Sequence, residues 1–356
     1  MLTCDCSRGV IQLITLICSL VISFFPDEFD RAADLWQSPA STYSNPDPFR
    51  WPTDISRDVF SVNCHSHNDY WRRVPLYAAL QAGCTSVEAD VWLFDDELYV
   101  GHEVSSLSSS RTLRSLYVNP LLEILGRQNP ETPFTAAQDS RINGVFDTNP
   151  SQTVILLIDF KTDGAATWPH VYDQLSPLRE RGYLSHFNGT HVVNGPLTIV
   201  ATGNAPFSKV AALSSTHRDI FFDAPLDQLA DEEKGHDFFD NDADFVQSSD
   251  RQSSHSLPFN YTNSYYASAS YTEAVGIPFH LRPSRKQLSR LRQQIRGAHH
   301  RGLKVRYWNI PDWPHSLRNH LWSVLLREGV DMLNVDDLVS ATREEWVWPF
   351  AAWKLR

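Results

Sequence analysis

The chain is short of cysteine, of long apolar runs and of positive charge, and each shortage removes a class of protein. Five cysteines occur in 356 residues, and Cys4, Cys6 and Cys18 lie in the N-terminal segment. No Cys-x-x-Cys pair lies beyond that segment, which argues against a thiolate zinc site. The longest apolar run, Val10 to Phe25, is short of the roughly 20 residues a spanning helix needs. Lys and Arg total 31 against 42 Asp and Glu, a formal net charge of −11. Nucleic-acid binding needs a dense basic face, so this balance argues against it. No internal repeat, P-loop or dinucleotide-binding glycine pattern is present.

What the chain has is enough apolar material, 42% of residues, to bury one sizeable core. Short apolar, β-branched runs recur at 59–64, 85–91, 153–159, 197–202, 219–222, 263–268, 303–308 and 331–335. Helical stripes lie between several of them. Leu288, Leu291, Ile295 and Ala298 follow the capping residue Ser284, and Leu317, Leu321, Leu325 and Leu326 precede Gly329. This alternation predicts a parallel sheet with right-handed crossovers, and so many units in one run fit closure into an α/β (β/α)8 TIM-type barrel. The predicted organisation is an N-terminal targeting segment at 1–25, a Pro/Ser-rich linker at 26–57, one catalytic barrel at 58–345 and an aromatic tail at 346–356.

Residues 62 to 103 carry the chemistry. Val62-Asn63-Cys64-His65-Ser66-His67-Asn68-Asp69 is followed by Ser86-Val87-Glu88-Ala89-Asp90-Val91 and Gly101-His102-Glu103. Side chains alternate along a strand, so Glu88 and Asp90 share a face and can reach one cation. Ile155 to Lys161 ends in the same way, with Asp159 and Lys161 on one face. A lone Glu-x-Asp is more often a solvated edge. Three apolar strands ending in charge are costly unless those charges meet each other or a metal. Imidazoles to move protons, beside oxygen ligands for a divalent cation, are the parts of a metal-assisted phosphoryl site. His65, Glu88, Asp90, Asp159, Trp308 and Asp336 all fall near C-terminal strand ends, where such barrels place their chemistry. Trp308 and Asp336 are candidate pocket walls, and Trp308 shares its strand face with Lys304 and Arg306. The basic residues from Arg282 to Arg306 otherwise read as a solvated outer face.

Together with Asp159-Phe160-Lys161-Thr162 and Gly329-Val330-Asp331-Met332-Leu333-Asn334-Val335-Asp336, these motifs resemble the glycerophosphodiester phosphodiesterase and sphingomyelinase D branch of the phospholipase C-like phosphodiesterases. Within it, His65 to Trp71 and Val87 to Trp92 are similar to the fungal altered inheritance of mitochondria protein 6 family. The resemblance runs from about residue 58 to 342. It implies a barrel with its site at the mouth, His65 and His102 as acid and base, and Glu88, Asp90 and Asp159 binding Mg2+ or Ca2+. Lys161 would hold a phosphate oxygen of a glycerophosphodiester or phospholipid-type substrate. The usual His-Arg-Gly reads His65-Ser66-His67 here, so one phosphate-binding arginine is missing; Arg72, Arg73 and Lys161 are the cations available to replace it. Two other readings are an amidohydrolase-like hydrolase using His65 and His67 as a zinc pair, and a non-catalytic barrel that binds lipid headgroups.

Arg8 before the first apolar run and Pro26-Asp27-Glu28 after it suit a signal peptide or signal anchor, placing the remainder on the luminal side. That predicts a secreted or membrane-anchored protein, with membrane association through the N-terminal segment. A mitochondrial presequence would be Arg-rich and acid-poor, which this segment is not. Sequons at Asn188 and Asn260 fit secretory exposure. Asp227 to Asp250 reads as a long acidic loop without EF-hand spacing, and Trp346, Trp348, Phe350 and Trp353 as packing on the barrel wall. Cys64 near the end of one strand and Cys84 before the next are expected at opposite barrel ends, too far apart for a disulfide.

Overall fold

The computed structural model describes residues 2–24, 55–130, 132, 142–212, 217–230, 258–278 and 282–342. Eleven strands occur among them: β1 (Val62–Ser66), β2 (Cys84–Phe94), β3 (Glu97–Val100), β4 (Val154–Phe160), β5 (His186–Phe187), β6 (Val192–Val193), β7 (Leu197–Gly203), β8 (Ile220–Pro225), β9 (Ser264–Ser270), β10 (Lys304–Trp308) and β11 (Met332–Val335). Eight of them, β1, β2, β4 and β7 to β11, pair in parallel, and β1 bonds to both β2 and β11, so the sheet closes into a barrel. Each coincides with a predicted run. β3 folds back antiparallel on β2, and β5 and β6 form a small separate hairpin.

Strand alternation splits the interior in two. In β4, Leu156, Ile158 and Phe160 point outward into the large core under the helices, while Ile155 and Leu157 point into the barrel against Val200, Tyr266 and Met332. Continuing the inward series gives Asp159, at the end where apolar filling stops. The helix Arg285–His299 starts at Ser284, whose hydroxyl accepts from Gln287 N–H in a capping box, and buries Leu291, Ile295 and Ala298. Helix His315–Glu328 ends at Gly329, whose φ of 101° closes the last turn.

The cysteine expectation is overturned: Cys64 and Cys84 form a disulfide, with Cα atoms 4.7 Å apart. Two features bring them together. β2 begins at Cys84 itself, and an irregularity between Val62 and His65 shifts the β1–β2 register, so the two cysteines fall at one level. The basic run is largely solvated, as expected: Arg285, Lys286, Arg290 and Arg292 are exposed and Arg296 and Arg301 half-buried, but Arg306 is 3% exposed inside the barrel.

The helix Leu2–Phe24 holds the predicted targeting segment, and Phe24 stacks on Trp313 at 5.6 Å. Among the described residues no helix is long and apolar enough to cross a membrane. Most of the predicted linker, the acidic loop beyond residue 230 and the aromatic tail lie outside the described residues.

Candidate active site

Register fixes the acidic centre. β2 pairs with β4 so that Asp90 lies opposite Asp159, and Asp159 lies opposite Thr202 of β7. Glu88, one inward position below Asp90, completes a triad whose candidate ligand atoms lie within 4.8 Å of one another. Gly203 makes room for it: a Cβ there would sit 1.9 Å from Asp159 Oδ1. Burial, then the charges of Glu88 and Asp159, push Asp90 up to about 7. Asp90 Oδ1 is buried and accepts no hydrogen bond. Three converging carboxylates with an orphaned oxygen fit a hard divalent cation such as Mg2+ or Ca2+.

The histidines take different places. His65 is wholly buried; Tyr266 donates to Ser86 Oγ at 3.1 Å, Ser86 donates to His65 Nδ1 at 2.6 Å, and His65 Nε2 lies 3.4 Å from Glu88 Oε2. Burial, then the charge of Arg306, lowers His65 to about 4, so it is a neutral imidazole with its tautomer fixed by that chain. Burial opposes the charge on Glu88, but the hydrogen bond from His65 and the nearby Arg306 hold it below the usual range. Its Oε2 also accepts the Asn68 N–H at 3.1 Å.

His67 and His102 line the main cavity, as His65 does not. His67 Nδ1 donates to Asp336 Oδ1 at 3.0 Å, and its Nε2 lies 3.9 Å from Glu88. Burial disfavours its charged form, but Asp336 and Glu88 more than offset that, and its pKa is raised. His102 reaches the cavity at the rim, its ring 5.0 Å from that of Trp71. The structure therefore separates His65 from His102 and brings His67 beside the cavity with Asp336 as its partner. His65 Nε2 and His67 Nε2 both approach Glu88 Oε2, at 3.4 and 3.9 Å, but the only cluster of three or more candidate metal ligands among the described residues is the carboxylate triad.

Two cations face the same space. Lys161 Nζ bonds Asp159 at 2.6 Å and Asp90 at 3.0 Å. Arg306 donates to Ser268 at 3.1 Å, Asn334 at 2.8 Å and Asp223 at 3.3 Å, which holds its guanidinium on the cavity floor. Arg72 is committed to scaffolding, bonding Ser66 and the carbonyls of His67, Val335 and Asp336, and Arg73 is exposed and outside the cavity lining. The cavity has a volume of about 710 Å3, and Trp308 forms part of its wall. Asp336 lines an adjoining cavity that shares His67.

Sequence reasoning missed Arg306 and Asn68 as site residues. The period-two position of Arg306 with Trp308 was the signal for the first. Asn68 lines the cavity in a left-handed conformation, φ 46°, which asparagine tolerates; its place after His67 was the only cue.

Comparison with known proteins follows the same lines. An AIM6-like phosphodiesterase domain matches residues 53–223. The altered inheritance of mitochondria protein 6 homolog of Arthroderma benhamiae is 41% identical over 305 residues, 82% of this chain and 87% of that protein. The proteins named altered inheritance of mitochondria protein 6 in Eremothecium gossypii and Saccharomyces cerevisiae are 35% and 31% identical, over 71% and 72% of their lengths and 81% of this chain. No solved structure matches the chain.

Proposed function

Because the chain belongs to the altered inheritance of mitochondria protein 6 family and carries its AIM6-like phosphodiesterase domain, we propose that it is a metal-dependent phosphoric diester hydrolase. The observation that carries this reading is convergence: four carboxylates, three of them clustered, face one cavity together with two cations and two imidazoles. Glu88, Asp90 and Asp159 would hold Mg2+ or Ca2+, which when bound supplies charge stabilisation at a phosphate oxygen.

Lys161 and Arg306 take the remaining negative charge of the phosphate, and Arg306 stands in for the arginine missing after His65. His67, held at Nδ1 by Asp336, presents Nε2 to the cavity and protonates the leaving oxygen. His102 accepts the proton of the attacking hydroxyl, which is water or a neighbouring hydroxyl of the substrate. His65 is a positioning residue: its bond to Glu88 orients that carboxylate. Trp308 walls the substrate.

The Cys64–Cys84 disulfide supports a luminal or extracellular location, since such bonds persist in oxidising compartments. Asn188 and Asn260, both in surface turns, would then be glycosylation sites.

³¹P NMR of the purified protein with glycerophosphocholine, lysophosphatidylcholine and sphingomyelin, in Mg2+, Ca2+ or EDTA, tests the proposal. We expect metal-dependent loss of a diester signal that His67→Asn and Glu88→Gln abolish. No turnover with any diester, alongside headgroup binding that both variants retain, would turn the reading to a non-catalytic headgroup-binding barrel.

A further inference from the structure

One side of the cavity has no use for a phosphate. Past Thr202 and Gly203 the charged lining gives way to Phe207, Phe222 and Phe259, flanked by Ala224 and Pro225. The rings form one cluster: Phe207 meets Phe222 edge-on at 5.1 Å and Phe259 at 4.8 Å, and Phe222 stacks on Phe259 at 5.8 Å. They come from three separate places, the helix Phe207–Ala212, strand β8 and the loop before β9.

Phe222 needs explaining, because consecutive strand residues point to opposite faces, yet Phe222 and Asp223 both line the cavity. The β8–β9 pairing is irregular between these two residues. The extra residue, Tyr265, lies in β9, so β8 keeps its alternation: Ile220, Phe222 and Ala224 face the outer core, and Phe222 borders the cavity from that side while Asp223 holds Arg306. All three rings stay only half-buried, so a continuous apolar face begins beside the phosphate-binding floor. Burying an alkyl chain there removes water from both surfaces.

We propose, resting on the phosphodiesterase reading, that this aromatic wall receives an apolar chain esterified to the phosphate, so that the substrate is a single-chain lipid phosphodiester rather than a small polar glycerophosphodiester. The continuity of the wall with Arg306 and Lys161 sets the order: phosphate on the floor, chain along the phenylalanines. A single wall serves one chain.

The test is a binding ladder that needs no turnover. Inorganic phosphate and n-alkyl phosphates from ethyl to decyl, below their micelle concentrations, are titrated calorimetrically into the full chain in Mg2+. We expect affinity to rise about fourfold per added methylene until the wall is covered. Phe207→Ala and Phe259→Ala should each at least halve that increment and leave the affinity for inorganic phosphate unchanged; Phe259→Leu, which keeps apolar bulk, should retain most of it. Affinity independent of chain length overturns the proposal without any variant. An increment that survives both alanine variants overturns it too, because the chain then lies elsewhere. A flat ladder in a protein that hydrolyses diesters removes the aromatic subsite alone. An intact, phenylalanine-dependent ladder in a protein that hydrolyses none removes the hydrolase reading and leaves the subsite standing.

Discussion

The sharpest test of the acidic centre is a substitution that replaces none of its ligands. Gly203 has φ +66°, and a Cβ placed there would lie 1.9 Å from Asp159 Oδ1 and 2.9 Å from the carbonyl of Phe160. Ordinary contact begins at 3.4 Å, so in Gly203→Ala the Asp159 carboxylate must retreat by about 1.5 Å. The backbone has little room to yield, because Gly203 is paired with Phe160 in the β4–β7 ladder. Two effects follow, and they are separable. The left-handed backbone costs an alanine about 1–2 kcal/mol of stability, which in a domain this size lowers the melting temperature by a few degrees. Loss of one of three charged oxygens from the cation site should weaken Mg2+ or Ca2+ binding by more than about 100-fold, beyond the range typical of outer-shell changes. Calorimetric titration reads the affinity, and thermal melting in EDTA reads the stability. In the background of Asp159→Ala, Gly203→Ala should cost no further affinity, since both act through one carboxylate. Wild-type affinity in Gly203→Ala would refute the reasoning; no divalent binding by the wild type would refute the site.

Other consequences are as definite. Removing the metal with EDTA should lower the stability by the linkage amount, about 2.7 kcal/mol where the cation had been at 100 times its Kd, and the melting temperature with it; identical melts would count against binding. Arg306→Met leaves Asp223 buried beside no cation and should cost about 3–5 kcal/mol in urea unfolding, while adding Asp223→Leu should restore much of the stability but none of the turnover. Cys64→Ser opens a loop of separation 20 and should lose about 3 kcal/mol; equal stability of wild type and variant without reductant would contradict the bond. In EDTA, His65 binds its proton near 4 when folded, against an ordinary 6.5, because burial and then Arg306 disfavour the charge. The unfolded chain therefore holds more protons between those values, so stability is full above pH 6.5 and falls toward pH 4 by on the order of 3 kcal/mol; His65→Gln should flatten that slope.

The barrel was legible because its strands are short, apolar and separated by capped helical stripes, a pattern that leaves few alternatives. Glu88, Asp90 and Asp159 were legible for a related reason: charge at the end of an apolar run needs a partner. The disulfide was not, because a one-residue irregularity in β1 decides whether Cys64 faces Cys84, and sequence carries no sign of that shift. Arg306 looked like the end of a solvated series because the basic residues before it, Arg285 to Arg292, are helical and exposed; only closure of the sheet puts Asp223 of β8 and Asn334 of β11 against it. His65 and His67 are two residues apart and chemically alike, and what separates them is depth.

The bond between His67 and Asp336 joins positions 269 residues apart, through a strand that pairs with both its successor in the barrel and the last strand among the described residues. A ribosome adding 5–20 residues per second takes on the order of half a minute to travel that distance. Once it has left the exit tunnel, the imidazole waits for most of that time without the carboxylate that orients it. Arg306 and its Asn334 partner also arrive late. A product truncated before β11 lacks Asn334 and Asp336 and cannot close the sheet, so the cavity is assembled only when β11 pairs with β1.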